Sequence, residues 1–312
     1  MKSVVYMGTP DFAVPALERL IKSEDYDVKL VVSQTDKPQG RHQELTPPPV
    51  KKLALQYGVE VFQPKTLKSD ESYEKIASYQ PDFIVVAAYG KILPQRVLDI
   101  PKYGCVNLHG SLLPKYRGAA PIQWSVINGE KETGLTSMLM DAGLDTGDIL
   151  YTLKTEIGEN ETAGELFDRL AAMGPELLLR TLEAIENGTA LPQKQDEAQA
   201  TYVSVLSKEM AVIDWESDAC AVHNKVRGMY PWPVAKTSFA GKLLKIYSTL
   251  KTDKSFGGVP GSLYAGNGRL FVVCGNGTAL EITELQLEGA KKMSATDFLR
   301  GHRNADGFIL GK

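Results

Sequence analysis

Cysteine is scarce in this chain of 312 residues, where Cys105, Cys220 and Cys274 lie far apart. Such scattered cysteines argue against a disulfide framework and are typical of proteins from a reducing compartment. The four histidines are also isolated, and none lies at a zinc-type spacing from another possible ligand. We therefore expect no metal cofactor.

Long apolar runs are missing as well. No run approaches the roughly 20 residues needed to span a bilayer, and the first residues lead straight into a strand pattern without a secretory signal. We expect a cytoplasmic protein with no membrane partner, acting as a monomer. The length and the 43% hydrophobic fraction predict two domains with a substantial core.

Charge of one sign is not in large excess, since the net charge is −3. It is unevenly divided, however, because residues 208–312 hold 14 basic against 10 acidic residues and residues 1–207 hold 21 against 28. The C-terminal part is the basic side of the molecule. This asymmetry modestly favours a nucleic-acid partner for that part.

The first part of the chain alternates apolar strand patterns with helical ones. This order predicts an α/β domain over residues 1–188, with a Rossmann-like, mostly parallel sheet and helices on both faces. Strands are expected at residues 3–7, 83–88 and 105–109, and a helix at 69–78 with Ser69 as its cap. A long helix is expected at 162–185, with Gly174-Pro175 as a candidate break. A G-x-G-x-x-G fingerprint is lacking and Asp11 lies where a pyrophosphate would bind, so we reject a dinucleotide site.

The second part of the chain follows a polar stretch at residues 189–207, which we interpret as a linker. Residues 208–312 contain short strand patterns separated by glycine-rich turns, which predicts a small OB-like β-barrel. Barrels of this kind often bind nucleic acid on one face. Lys242 and Lys245 are candidates for contacts with a nucleic-acid backbone in this domain.

The most informative stretch is the strand at residues 105–109 and the loop that leaves it. Asn107 and His109 are two residues apart, so they point to the same face of the strand. Cys105 shares that face but lies roughly 13 Å from His109 along a strand, whereas activation of a nucleophile needs about 3 Å. We therefore interpret Cys105 as a core residue.

A second polar cluster lies in a glycine-containing loop at residues 140–148, where Asp145 follows His109 by 36 residues. It holds Asp141, Asp145 and Asp148, and the sequence alone does not choose among them. An amide, an imidazole and a carboxylate without a serine or cysteine nucleophile suit direct attack by a substrate amine on a carbonyl.

Residues 34–49 form a further long aperiodic loop, which is either functional or a surface excursion.

Several segments together resemble one known family. The run N-L-H-G-S-L-L-P-K-Y-R-G-A-A-P-I-Q from Asn107 and the run D-A-G-L-D-T-G-D from Asp141 resemble the folate-dependent formyltransferases. The opening V-V-Y-M-G-T-P-D-F-A, the stretch V-V-A-A-Y-G-K-I-L-P and the tail G-A-K-K-M-S-A-T-D-F-L are similar too. The tail and the second domain resemble the branch that acts on initiator methionyl-tRNA.

The resemblance implies an activity and a set of site residues. It implies transfer of the formyl group of 10-formyltetrahydrofolate to the α-amino group of methionine on initiator methionyl-tRNA. Asn107, His109 and Asp145 would be catalytic, and Arg41 in the 34–49 loop would contact the acceptor end of the tRNA. Folate contacts are expected from ten residues, namely Tyr89, Lys91, Ile92, Leu93, Val97, Ser111, Leu112, Leu113, Pro114 and Asp141.

Other functions remain open at this point. A formyltransferase acting on a nucleotide-linked sugar or a purine precursor would share the central motif. A nicotinamide oxidoreductase is compatible with the fold, although the phosphate fingerprint is lacking. A non-catalytic RNA-binding protein would not need Asn107, His109 and Asp145 together.

Overall fold

A computed structural model describes residues 1–39 and 44–311 of the chain. The contacts between residues divide it into two units, each built from several stretches of sequence. Unit 1 consists of Met1–Pro121, Thr133–Thr155 and Phe167–Val203, and unit 2 of Ile122–Glu132, Glu156–Leu166 and Ser204–Lys312.

The first 203 residues alternate strands with helices, as the sequence predicts. In chain order the elements are β1 (Lys2–Gly8), α1 (Val14–Ile21), β2 (Tyr26–Val32), β3 (Lys37–Gln39), β4 (Glu44–Thr46), α2 (Pro49–Gln56), β5 (Val61–Phe62), α3 (Asp70–Ala77), β6 (Phe83–Ala87), α4 (Gln95–Leu98), β7 (Cys105–His109), β8 (Arg117–Gly118), α5 (Pro121–Ile127), β9 (Glu132–Leu139), β10 (Asp148–Glu156), α6 (Ala163–Glu186) and β11 (Tyr202–Val203).

The main sheet of unit 1 has the strand order β10-β9-β7-β6-β1-β2-β5. The pairs β1–β2, β1–β6, β2–β5 and β6–β7 are parallel, while β7–β9 is antiparallel. This arrangement confirms the predicted mostly parallel, Rossmann-like sheet. Strand β7 lies inside the sheet between β6 and β9, and all five of its residues are buried. The carboxyl end of β7 is therefore held in place on both sides.

Two local predictions in unit 1 have clear outcomes. Ser69 caps α3, because its hydroxyl accepts a hydrogen bond from the backbone N–H of Ser72, as predicted. The candidate break at Gly174-Pro175 is wrong, since α6 continues through Pro175. An added Cβ at Gly174 would lie 3.6 Å from Leu108 of β7, so this part of α6 faces the sheet. Tertiary packing of an apolar helix face can outweigh the single hydrogen bond that a proline removes from a helix.

The polar stretch interpreted as a linker is ordered in its first part. Gln193 exchanges two backbone hydrogen bonds of 2.8 Å with Ile149 of β10, and β11 pairs with β8 in a parallel two-stranded sheet. Residues up to Val203 belong to unit 1, and residues from Ser204 onward belong to unit 2. The domain boundaries at residues 188 and 208 stay a prediction.

Unit 2 is built around an antiparallel sheet. Its strands have the order β12-β13-β16-β15-β14, with β17 paired to β16. This confirms a small β domain after the α/β part, while closure into an OB-like barrel stays a prediction because the described pairings leave β12 and β14 at the edges. The elements are α7 (Ala219–Gly228), β12 (Lys236–Phe239), β13 (Lys242–Lys251), β14 (Leu263–Gly266), β15 (Arg269–Val273), β16 (Ala279–Leu287), β17 (Met293–Ser294) and α8 (Ala295–Gly301).

No helix in the described ranges 1–39 and 44–311 combines the length and apolar character needed to cross a membrane.

Candidate active site

Asn107 and His109 lie on the last three residues of β7. Asn107 is opposite Val86 on β6 and Met138 on β9, and His109 is opposite Thr136 on β9. Because side chains alternate along a strand, the carboxamide and the imidazole lie on one face of the sheet. Both residues are buried, with exposures of 7% and 6%. Two polar groups are thus held at the end of a strand with little access to water.

The orientation of the His109 ring follows from its two neighbours. Its Nε2 lies 2.9 Å from the backbone carbonyl oxygen of Tyr116. Since a carbonyl can only accept, Nε2 carries a hydrogen and donates it. Its Nδ1 lies 3.6 Å from Oδ2 of Asp145. The ring therefore turns Nδ1, the nitrogen that can take or release a proton, toward the carboxylate.

Asp145 reaches His109 from the loop between β9 and β10. Its side chain is 15% exposed, and its Oδ2 accepts a 2.8 Å hydrogen bond from the backbone N–H of Gly118. Its φ angle is +55°, a left-handed conformation that costs energy for a residue with a side chain. The structure thus brings together the imidazole and one of the three candidate carboxylates.

The carboxamide of Asn107 has a different environment. The residue is 7% exposed, and its amide makes no hydrogen bond to any other residue that the structure describes. A free amide beside His109 is suited to donating a hydrogen bond to a bound group.

The loop after β7 is held by one buried hydroxyl. Oγ1 of Thr136 donates to the carbonyl of Ser111 at 2.7 Å and accepts from the N–H of Leu113 at 3.1 Å. The Ser111 hydroxyl is itself occupied, donating to the carbonyl of Lys115 at 2.7 Å. The predicted folate contacts Ser111, Leu112, Leu113 and Pro114 therefore lie on a fixed loop directly beyond Asn107 and His109.

The predicted folate contacts in the segment after β6 lie in different environments. Tyr89, Leu93 and Val97 belong to a buried apolar cluster, against which Met140 at the start of the Asp145 loop also packs. The Tyr89 hydroxyl is buried without a hydrogen-bond partner among the described residues, and burial raises its pKa to about 12. Lys91 donates to the carbonyls of residues 64 and 65, and Ile92 is exposed.

Asp141 acts within its own loop. Its Oδ1 accepts hydrogen bonds from the N–H of Gly143 at 3.0 Å and from the Thr146 hydroxyl at 2.6 Å. The residue is exposed. Asp148, the third carboxylate, forms a 2.9 Å ion pair with Lys194. Neither contact directs these carboxylates to His109, so the structure distinguishes Asp145 from its two neighbours.

Cys105 is a core residue, as the sequence predicts. It belongs to the same buried cluster as Tyr89. Burial raises the pKa of its thiol to about 12. A thiol in that state is not a nucleophile at neutral pH.

The predicted nucleic-acid contacts belong to two different parts of the chain. Lys242 and Lys245 lie on β13 of unit 2, where Lys245 is directly opposite Lys236 of β12. Arg41 lies outside the described residues. Beside its loop, unit 1 has a cleft of about 390 Å³ whose lining includes Lys37 and Lys52. The remaining lining residues are Thr9, Pro10, Asp11, Thr35, Thr46, Pro47, Pro48 and Pro49.

Sequence reasoning did not identify three residues that build the site. Thr136 holds the loop after β7, and the buried Arg117 is hydrogen-bonded to the half-buried Gln195, which in turn contacts the Asp145 loop. A buried threonine on β9 and an arginine beside a glycine are weak signals in a sequence. Gln195 lies in the polar stretch at residues 189–207, whose composition does not distinguish it from its neighbours. Within the described parts of the chain, no cluster of three or more metal-ligating side chains occurs.

Comparison with known proteins identifies two matching family models. The one described as formyl transferase matches residues 1–182, and the one described as formyl transferase, C-terminal domain, matches residues 205–303. Together they account for most of the chain.

Among curated proteins, a methionyl-tRNA formyltransferase from Caldanaerobacter subterraneus is 49% identical over 308 residues, covering 98% of this chain and 99% of that protein. One from Citrifermentans bemidjiense is 49% identical over 310 residues, covering 99% and 96%. Among solved structures, the N-formyltransferase from Helicobacter canadensis in complex with folinic acid and dTDP-3-aminofucose matches with a TM-score of 0.69. That match has 20% identity and covers 94% of this chain and 100% of the other, so it concerns the fold.

Proposed function

Since this chain belongs to the formyl transferase family, we propose that it formylates initiator methionyl-tRNA. The formyl group of 10-formyltetrahydrofolate is transferred to the α-amino group of the methionine. The choice of substrate rests on curated relatives named methionyl-tRNA formyltransferase, which are 49% identical over nearly the whole chain. One structural observation carries the proposal: Asp145 lies beside Nδ1 of His109. His109 is on strand β7, which also holds the free amide of Asn107.

The reaction needs no covalent intermediate on the protein. The amine attacks the formyl carbon, a carbon–nitrogen bond forms, and the carbonyl electrons move to the oxygen. The Asn107 amide donates a hydrogen bond to this oxyanion, as does the Nδ1–H of protonated His109. The bond from the formyl carbon to the folate nitrogen then breaks. Overall, one proton moves from the attacking amine to that nitrogen.

Asp145 and His109 manage the proton. The Tyr116 carbonyl occupies Nε2–H of His109, so Nδ1 is left for exchange with Asp145 and the reacting groups. The Asp145 carboxylate stabilises the imidazolium form and relays the proton of the attacking amine through water to the folate nitrogen. The Gly118 N–H keeps one carboxylate oxygen facing the ring during this exchange.

The folate would bind between the loops that follow β6 and β7. Support comes from the fixed loop at Ser111–Pro114 and from the apolar wall that contains Tyr89, Leu93 and Val97. The buried and unpaired Tyr89 hydroxyl supports a polar contact on that wall. Asp141 is proposed to border the same site.

Contacts with the tRNA are proposed for both units. In unit 1, the lysines of the cleft beside β3 and β4 support binding of phosphates of the acceptor end, together with Arg41. In unit 2, Lys242 and Lys245 would track the backbone, supported by the like-charged pair that Lys245 forms with Lys236. We propose further that the protein acts as a monomer in the cytoplasm, where initiator tRNA is used.

The proposal is tested by formylation of charged initiator tRNA with 10-formyltetrahydrofolate, with acid-stable formylmethionine as the product measured. Wild-type protein should form this product, and Asn107→Ala should reduce kcat by about 10²-fold because one oxyanion donor is lost. Asn187→Ala, at an exposed site, is the matched control and should keep full activity. Product with amino sugar nucleotides or purine precursors, but none with the charged tRNA, would reverse the choice of substrate.

A further inference from the structure

Gln195 bridges the polar stretch and the Asp145 loop. Its Nε2 donates to the backbone carbonyls of Asp145 at 2.8 Å and of Gly147 at 2.7 Å. One side-chain amide thus holds the backbone on both sides of Thr146. Along the chain, Gln195 is 50 positions from Asp145 and 48 positions from Gly147.

The orientation of the Gln195 amide is set by Arg117. Oε1 of Gln195 accepts from Nε of Arg117 at 3.1 Å and from Nη2 at 2.9 Å. With the oxygen occupied by two donors, the amide must turn its NH₂ group toward the Asp145 loop. The amide is therefore in a determined orientation.

Arg117 is itself immobilised. Its side chain is fully buried, and its guanidinium forms a two-pronged ion pair with Glu197 through Nη1 at 2.9 Å and Nη2 at 2.7 Å. Nη1 also donates to the Tyr202 hydroxyl at 2.8 Å. The pairing with Glu197 raises the pKa of Arg117 and lowers that of Glu197. A planar guanidinium with this many partners is a rigid anchor.

The Asp145 loop needs such support. Asp145 has a left-handed backbone conformation with φ +55°, which a non-glycine residue keeps only where its surroundings hold it. Its carboxylate must also stay within reach of Nδ1 of His109, since small displacements of a catalytic group are costly. The clamp by Gln195 acts on the carbonyl of this same residue.

We propose that Gln195, oriented by Arg117, is a positioning residue for the carboxylate of Asp145. The stretch at residues 193–203 is then part of the catalytic apparatus as well as a connection between domains. This inference rests on the proposed formyl transfer for its kinetic test and on geometry for its structural test.

The kinetic test uses Gln195→Glu. Glutamate has the same shape and still accepts from Arg117, but it cannot donate to the carbonyls of Asp145 and Gly147. We expect kcat to fall by about 10- to 100-fold with little change in KM, as displacement of a catalytic group predicts. The control is Gln199→Glu in the same stretch, where the side chain donates to exposed Asp196, and it should keep wild-type kcat. Unchanged kcat in Gln195→Glu would overturn the inference.

A double-mutant cycle separates positioning from general damage. If Gln195 acts through Asp145, the Gln195→Glu substitution should have no further effect on kcat in an Asp145→Asn background. An equal loss in both backgrounds would show that Gln195 acts independently of Asp145 and would contradict the proposal.

The structural test does not depend on activity. The ¹⁵N chemical shifts of the His109 imidazole report whether a carboxylate lies beside Nδ1. We expect them to change in Gln195→Glu and to stay at wild-type values in Gln199→Glu. Unchanged shifts in Gln195→Glu overturn the inference, whereas absence of formyl transfer by the wild-type protein would count against the proposed function alone.

Discussion

The backbone N–H of Gly118 donates a 2.8 Å hydrogen bond to Oδ2 of Asp145, the oxygen that also faces His109. A neutral backbone donor thus orients the carboxylate for which we propose a role in proton exchange. Because the donor is part of β8, which pairs with β11, the orientation of the carboxylate depends on the short two-stranded sheet beside the site.

Substitution of Gly118 by alanine should disturb both the sheet and the carboxylate. Gly118 has φ +103°, and an added Cβ would meet the carbonyl oxygen of Val203 at 2.5 Å. We expect a loss of about 1–3 kcal/mol in the free energy of unfolding together with a fall in kcat. Urea unfolding and the formylation assay measure the two effects.

The matched control for this substitution is Gly188→Ala. Gly188 also has a positive φ of +67°, but no atom lies within 4 Å of the added Cβ. It should lose stability through backbone strain while keeping kcat. Equal kcat losses in the two variants would refute the proposed role of the Gly118 contact.

Asp145→Asn should lower kcat by about 10²- to 10⁴-fold, the range for removal of a group that transfers protons. The amide oxygen can still accept from Gly118, so the free energy of unfolding should change little. Asp148→Asn is the control, because Asp148 pairs with Lys194 and makes no contact with His109. If Asp148→Asn had the larger effect on kcat, the carboxylate would be assigned to the wrong residue.

Unit 2 should lose stability as the pH falls below about 6.5 because of His223. This histidine is 2% exposed, its Nε2–H donates to the Glu159 carbonyl, and its Nδ1 lies 2.9 Å from the Thr249 hydroxyl. Burial lowers its pKa, and the cations Arg227 and Lys251 lower it further, against a raising effect of Glu159. The unfolded chain therefore binds a proton more readily than the folded one, and acid favours unfolding.

Tryptophan fluorescence can follow this effect, since Trp124, Trp215 and Trp232 all belong to unit 2. Between pH 7.5 and pH 5.5, the wild-type protein should lose more stability than His223→Gln. If the stability of His223→Gln depended on pH as strongly as that of the wild-type protein, another group would be responsible.

Alkylation should distinguish the three cysteines. Cys105 and Cys274 are buried, and burial raises the pKa of each thiol to about 12, whereas Cys220 is exposed. Iodoacetamide at pH 8 should therefore label Cys220 in the folded protein and all three cysteines after denaturation, as mass spectrometry would show. Rapid labelling of Cys105 in the folded state would reopen its interpretation as a nucleophile.

Much of unit 1 could be predicted from local patterns. The buried strand at residues 83–87, the cap at Ser69 and the shared face of Asn107 and His109 depend on residues close in sequence. Alternation and capping are properties of short segments, so they can be recognised without the fold. The continuation of α6 through Pro175 could not be predicted in this way, because it depends on how the helix packs in the folded domain.

In the candidate site, too, some features follow from the local sequence and others depend on the fold. The sequence alone determined that an amide and an imidazole lie at the end of a buried strand, that a loop rich in aspartate follows, and which family the motifs resemble. Only the tertiary structure decided that Asp145 faces His109, that Nδ1 is the ring nitrogen turned toward this carboxylate, and that Gln195 holds the loop. The physical reason is distance along the chain. Arg117 and Gln195 are 78 residues apart, and such a contact forms only when separate strands and loops have packed together.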